Sequence, residues 1–155
     1  MKFIFLDIDG VLNCESVPVK YVDMIDDERV KLLKEIVNKT GAEIILSSSW
    51  KVFLEDDLSA KNSMGKDLVG MLSKHGLHIS NKTNDWGILR GEGIRNFLNT
   101  HECEGWVVLD DDIFEDYEEF GIMPHLVKTY FYRKNGGLRK SHVEKAIRIL
   151  NSKKI

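Results

Sequence analysis

The chain has 155 residues, 25 Asp plus Glu against 22 Lys plus Arg, and a formal net charge of −3. With 43% hydrophobic and 9% aromatic residues it can bury a real core, which excludes a disordered chain and a disulfide-stapled miniprotein. The near balance of charge excludes a polycation, and no apolar run approaches the roughly 18 residues of a membrane span, so no membrane association is expected.

In chain order, Lys2 to Leu6 is a short apolar run that stops at Asp7 with Gly10 close behind, a buried strand ending at a turn. Asp26 or Asp27 can cap a helix through Val30, Leu33, Ile36 and Val37, closed by Gly41. Ile44-Ile45-Leu46 is a second buried strand, ending in Ser47-Ser48-Ser49-Trp50. Asp67 to His75 reads as a helix closed by Gly76, with a weak strand at Leu77 to Ile79. Gly91 to Asn99 reads as a third helix with two glycines in its first turn. Trp106 to Leu109 is a third strong strand, ending in Asp110-Asp111-Asp112, and Leu126 to Phe131 a further one. Ser141 to Glu144 matches a capping box, and Val143, Ala146, Ile147 and Leu150 follow helical spacing.

This β-α alternation predicts a three-layer α/β/α, Rossmann-like fold with a central parallel sheet, as one domain over residues 1–155 without repeats or linkers. Cys14 and Cys103, with no signal-peptide pattern at Met1-Lys2-Phe3, point to the cytoplasm. Charge is segregated. Glu102 to Glu119 holds nine acids and no Lys or Arg, whereas Lys128 to Lys154 holds nine basic residues and only Glu144 as an acid. Two solvated faces would give this pattern, as would a metal site in the acidic stretch and a polyanion contact in the basic one.

Three strands end in polar side chains: Asp7 with Asp9, Ser47 with Ser48, and Asp110 with Asp111. A parallel sheet gathers those ends at one edge, where clustered carboxylates repel unless a cation lies among them, and an all-oxygen set favours Mg²⁺ over zinc. An EF-hand is excluded because Val11, Leu12 and Val17 stand where such a loop needs oxygen ligands or polar residues. Ser-rich strand ends also serve as helix caps, and Ser47 is favoured over Ser48 because it directly follows the apolar run. Asp112 and Asp116 read as surface acids, the five histidines as surface or satisfied side chains, and Trp50, Trp86 and Trp106 as core or cleft residues.

Phe3 to Asn13, a strand running into Asp-x-Asp-Gly, resembles the first motif of the haloacid dehalogenase (HAD) superfamily. Ile44 to Ser47 resembles the second motif and Val107 to Asp111 the fourth, with Arg90 in the place of the third and Lys82 and Arg95 as substitutes. Ser47 to Trp50, Arg90 to Ile94 and Gly137-Leu138 resemble, more narrowly, small capless members that include the phosphatase-like domain of RNA-repair proteins. The resemblance implies an Mg²⁺-dependent phosphomonoester hydrolase with Asp7 as nucleophile and Asp9 as general acid and base. It implies Ser47, Ser48 and Arg90 as phosphate ligands, and Mg²⁺ bound by Asp7, the backbone carbonyl of Asp9 and Asp111, with Asp110 holding a water.

The 39 residues from Lys51 to Leu89 have room for a helix, a strand and a modest lid but not a full cap. An open cleft suits substrates that bring their own bulk, such as a nucleic-acid end, a nucleotide or a phosphoprotein. Lys128, Arg133, Lys134, Arg139 and Lys140 lean toward a nucleic-acid end. A phosphoacceptor signalling domain and a catalytically silent phosphate-binding domain are the competing functions. Gly-x-Gly-x-x-Gly is absent after the first strand, so a dinucleotide oxidoreductase is unsupported.

Overall fold

The computed structural model describes residues 1–15 and 25–152. The elements in order are β1 (Lys2–Leu6), α1 (Asp27–Thr40), β2 (Glu43–Leu46), a 3-10 turn (Ser49–Phe53), α2 (Ser63–Lys74), β3 (Ile79–Lys82) and α3 (Arg90–Asn99). Then follow β4 (Gly105–Asp110), a 3-10 turn (Met123–His125), β5 (Leu126–Lys128) and α4 (Lys140–Leu150). The five strands pair in parallel in the order β3-β2-β1-β4-β5.

Strand alternation sends Ile4 and Leu6 to one face of the sheet and Phe3 and Phe5 to the other. The first face, with Ile44, Leu46, Val107 and Leu109, packs on Leu33 and Ile36 of α1, Leu68 and Leu72 of α2, and Val143 and Ala146 of α4. The second, with Ile45, Trp106 and Val108, is covered by Ile94 and Phe97 of α3 and by Tyr117 and Ile122. Helices on both faces make the expected three-layer, Rossmann-like α/β fold.

Where element ends differ from the sequence reading, local hydrogen bonding explains it. α1 is capped by Asp26 and closed by Gly41 at φ 71° as expected. α2 starts at Ser63 rather than Asp67 because the Asn62 side chain accepts from the Gly65 amide at 3.0 Å. The apolar pattern is missing from that first turn because Gly65 lies against backbone: a Cβ there would sit 2.2 Å from the Phe53 carbonyl oxygen. Leu77 closes α2 by donating to the Leu72 carbonyl, so β3 begins only at Ile79. α4 starts at Lys140 rather than at a Ser141 box, and the Arg139 amide donates to Nδ1 of His142 at 3.0 Å. Burial and then the Arg139 charge hold the His142 imidazole below its usual pKa, which keeps it an acceptor. β5 stops at Lys128 rather than Phe131, and the chain turns back so that the Gly137 amide bonds the Tyr130 carbonyl at 2.9 Å.

Residues 51–89 supply α2 and β3, which join the main layers rather than forming a lid, apart from a small bridge between Leu54 and Ala60. The other cap position, after the first strand, includes residues 16–24, outside the described residues. Among the described residues no helix is long and apolar enough to cross a membrane.

Candidate active site

Leu6 of β1 is in register with Leu46 of β2 and Leu109 of β4. The residues that follow this register row, Asp7 and Ser47 just beyond their strands and Asp110 as the last residue of β4, therefore come side by side at the carboxyl edge. The Asp7 amide bonds the Leu109 carbonyl at 3.0 Å and the Ser47 amide the Leu6 carbonyl at 2.9 Å. Here the strand order also reverses, β2 and β3 lying to one side of β1 and β4 and β5 to the other, which opens a crevice. A cleft of about 490 Å³ is lined by Asp7, Asp9, Ser49, Arg90, Asp111 and Phe114, and by Lys128 and the Tyr130–Arg133 segment.

Single carboxylate oxygens of Asp7, Asp110 and Asp111 lie within 4.8 Å of one another. Burial, and next the Asp110 charge, push the Asp7 carboxyl up to about 9, with Arg90 opposing. Burial also raises Asp111, Asp110 adding to the effect. Three crowded carboxylates, of which burial holds Asp7 and Asp111 above their usual range, are a donor set that could hold a divalent metal, and they fit one. The glycine of Asp-x-Asp-Gly is required twice. Gly10 has φ 82°, and a Cβ there would fall 2.4 Å from the Asp111 side chain.

Asp110 is fixed by three donors: Tyr117 Oη at 2.6 Å, Arg90 Nη1 at 3.0 Å and the Asp112 amide at 3.0 Å. Burial and then Asp110 push the Tyr117 phenol above its usual range, so it stays a donor. Arg90 Nη1 is also 3.5 Å from Asp7, and its guanidinium lies over the Phe114 ring at 4.1 Å. Burial works against its charge, but Asp110 and Asp7 more than compensate and raise its pKa. Of the three cations considered for the third motif, Arg90 is the one at the carboxylates. Lys82 reaches the Glu55 carbonyl at 3.3 Å, and Arg95 the Phe120 carbonyl at 2.8 Å.

Ser47 is 2% exposed, and its hydroxyl finds no hydrogen-bond partner among the described residues. A buried polar atom left so, beside Asp7 at the sheet edge, is costly unless a ligand completes it. Ser48 has other work: its Oγ accepts from the Trp50 amide at 3.2 Å, capping the 3-10 turn, while Ser49 lines the cleft. Asp9 stands apart from the three clustered carboxylates. Asn13 Nδ2 donates to its Oδ1 at 3.0 Å and Trp50 Nε1 to its Oδ2 at 3.1 Å. Both oxygens are thus oriented, and each retains a second lone pair.

Two sequence expectations are corrected. Asp116 is not a surface acid: it is buried, and its carboxylate accepts from the Gly91 and Glu92 amides at 3.0 and 2.8 Å, capping α3 from a distant loop. A Cβ on Gly91 would lie 2.6 Å from Asp116 Oδ1, so the glycine that weakens the helical pattern is what admits the cap. Asp116 thereby positions Arg90, the first residue of α3. Asp116→Ala is expected to cost about 2 kcal/mol, lowering the melting temperature by about 4–8 °C in a thermal scan, with Asp116→Asn recovering part. Trp86 is neither core nor catalytic-cleft lining; it is 94% exposed on the loop before α3, whereas Trp50 and Trp106 are buried. The basic stretch also divides. Lys128 and Arg133 line the cleft, the first 4.0 Å and the second 3.5 Å from the Tyr130 ring centre, whereas Lys140 lies on α4 against Glu35 of α1.

A family model described as the HAD domain in Swiss Army Knife RNA repair proteins matches residues 3–143. The chain belongs to this HAD family. The family sets the HAD domain among hydrolases of that superfamily, consistent with an acid cluster at the switch point of its sheet. No curated protein and no solved structure gives a match.

Proposed function

We propose that this HAD domain is an Mg²⁺-dependent phosphomonoester hydrolase working through an aspartyl-phosphate, with a nucleic-acid end as its substrate. The observation that carries the reading is one sheet edge holding Asp7, Asp110 and Asp111 together with Arg90 and the Ser47 hydroxyl, unpartnered among the described residues.

An Asp7 carboxylate oxygen attacks phosphorus as the bond to the leaving oxygen breaks, and the Asp9 carboxyl gives that oxygen its proton. Asp9, now ionised, takes a proton from water, whose oxygen attacks the aspartyl-phosphate to release inorganic phosphate and restore Asp7. Ser47 donates to a phosphoryl oxygen, and Arg90 balances the charge gathering there. Asp7, Asp111 and the Asp9 carbonyl would hold Mg²⁺, with Asp110 oriented beside them. When bound, the ion offsets the repulsion between an anionic nucleophile and an anionic phosphate.

The nucleic-acid end is supported by the family description and by the cleft wall, where Lys128, Arg133, Tyr130 and an 82% exposed Tyr132 offer charge and stacking surface. This reading assumes the cytoplasmic setting that the sequence suggests.

Burial and Asp110 raise the Asp7 pKa from its ordinary 3.8 to about 9, so between those values the metal-free native state binds more protons than the unfolded chain. Stability from Asp7 is complete below the lower value and lost as pH rises through the upper one. In EDTA the melting temperature should therefore fall from mildly acid to alkaline pH. Mg²⁺ at a hundred times its Kd should add about 2.7 kcal/mol, or about 5–10 °C, and add more at higher pH because binding releases the proton. Asp111→Asn should abolish the shift.

The reading is tested by phosphate release from 3′- and 5′-phosphorylated oligonucleotides, mononucleotides, sugar phosphates, phosphopeptides and p-nitrophenyl phosphate, with Mg²⁺ or EDTA. Release from oligonucleotides that needs Mg²⁺ is expected. No release from any member would sink it.

A further inference from the structure

A second cavity of about 660 Å³ opens on the same sheet edge, beyond the ends of β2 and β3, lined among others by Lys51, Lys61, Lys82, Asn81, Asn84 and Trp86. The 3-10 turn is the ridge between the two cavities. Ser49 lines the catalytic cleft, Lys51 and Val52 line the second cavity, and buried Trp50 between them holds Asp9.

Trp86 is displayed on a built turn. Its amide donates to Asn84 Oδ1 at 3.2 Å, the Ile88 amide donates to the Asp85 carbonyl at 3.1 Å, and Gly87 takes φ 74°. A tryptophan left 94% exposed on such a turn has a large flat face without cover. Asp85 is committed to Lys51, which also meets Thr83 Oγ1 at 3.1 Å. Of the remaining charged lining residues, Lys61 and Lys82 outnumber Asp56, leaving a positive balance beside amide side chains that can bond base edges and phosphates.

We propose that the Trp86 groove is a second nucleic-acid contact, in which Trp86 stacks on a base of a single strand and Lys61 and Lys82 meet its backbone. A terminal phosphorylated nucleotide branches at its ribose, the base leaving one way and the next phosphodiester another. The cationic, aromatic wall after β5 and the Trp86 groove after β3 lie two strands to either side of β1, roughly 10 Å each way, so one can take the terminal base and the other the continuing strand. This direction of travel rests on the phosphatase reading; the groove's affinity for a single strand does not.

The test uses the full chain and an unphosphorylated single-stranded RNA hexanucleotide, followed by fluorescence anisotropy and by tryptophan emission. The expected results are quenching of emission that disappears in Trp86→Phe, affinity about tenfold weaker in Trp86→Ala, weaker binding in Lys61→Ala/Lys82→Ala, and affinity that falls steeply with salt. Unchanged melting temperatures confirm that these surface variants are folded. Equal affinity in Trp86→Ala, or binding indifferent to salt, overturns the proposal. So does a protein dimer in light scattering that Trp86→Ala dissociates, since the face would then be a protein contact. Phosphate release by the wild-type chain is scored separately, so a failed phosphatase reading and a failed groove give different results.

Discussion

Asp7→Asn is expected to lower phosphate release at least about a thousandfold, while leaving the metal-free protein as stable as the parent or more so. The two effects oppose each other because one carboxylate is both useful and uncomfortable. Asp7 is buried beside Asp110 and Asp111, and burial and Asp110 push its pKa up to about 9. The isosteric amide removes a charge the site resists, yet cannot act as an anionic nucleophile. Steady-state release and thermal scans in EDTA at mildly alkaline pH measure both. A variant that is inactive because it is unfolded, or active and unchanged, would contradict the assignment.

Arg90→Ala is expected to be the most damaging single change to stability. Its Nη1 stands 3.0 Å from Asp110 and 3.5 Å from Asp7, in a site almost closed to water. Removing one partner of a buried pair leaves the others uncompensated, typically at about 3–5 kcal/mol, or about 6–20 °C in melting temperature at this size. Release should also fall at least about a hundredfold. Mg²⁺ should return part of the stability, since it offsets the same carboxylates, but not the rate. Arg90→Lys keeps the charge without the planar fork and should be intermediate in both. A stable Arg90→Ala with normal turnover would show that the guanidinium is an ordinary solvated one.

The fold was legible because each strong strand carries its own stop. Phe3 to Leu6, Ile44 to Leu46 and Val107 to Leu109 are apolar runs that end in Asp7, Ser47 and Asp110, and parallel register then places those residues together. What the sequence hid depends on contacts between distant segments. Asp116 sits in an acidic run and reads as solvated, yet it caps α3 across 24 to 25 residues. Gly91 and Gly65 weaken helical patterns for reasons visible only when Asp116 and the Phe53 carbonyl are in place. Ser48 and Ser49 cannot be told apart by type, because the cap geometry of the 3-10 turn decides which one faces the cleft. Trp86 carries no periodic signal at all: a turn displays it, and composition alone favours burial.

The charge pattern was half legible. The acidic run does supply Asp110 and Asp111 of the metal-type cluster, with Asp7 coming from the end of β1, but the basic third divides between a cleft wall at Lys128 and Arg133 and a helix turned toward Glu35. Spacing along the chain does not report which side of the sheet a lysine ends on.

The central claim, that Asp7 is the nucleophile, is tested most directly by rapid acid quench of the Mg²⁺-loaded protein mixed with a terminally ³²P-labelled oligonucleotide, followed by peptide mapping. The account predicts transient label on the peptide containing Asp7, released by hydroxylamine and absent from Asp7→Asn. Rapid phosphate release with no labelled protein at any time, and equal turnover by Asp7→Asn, would contradict it.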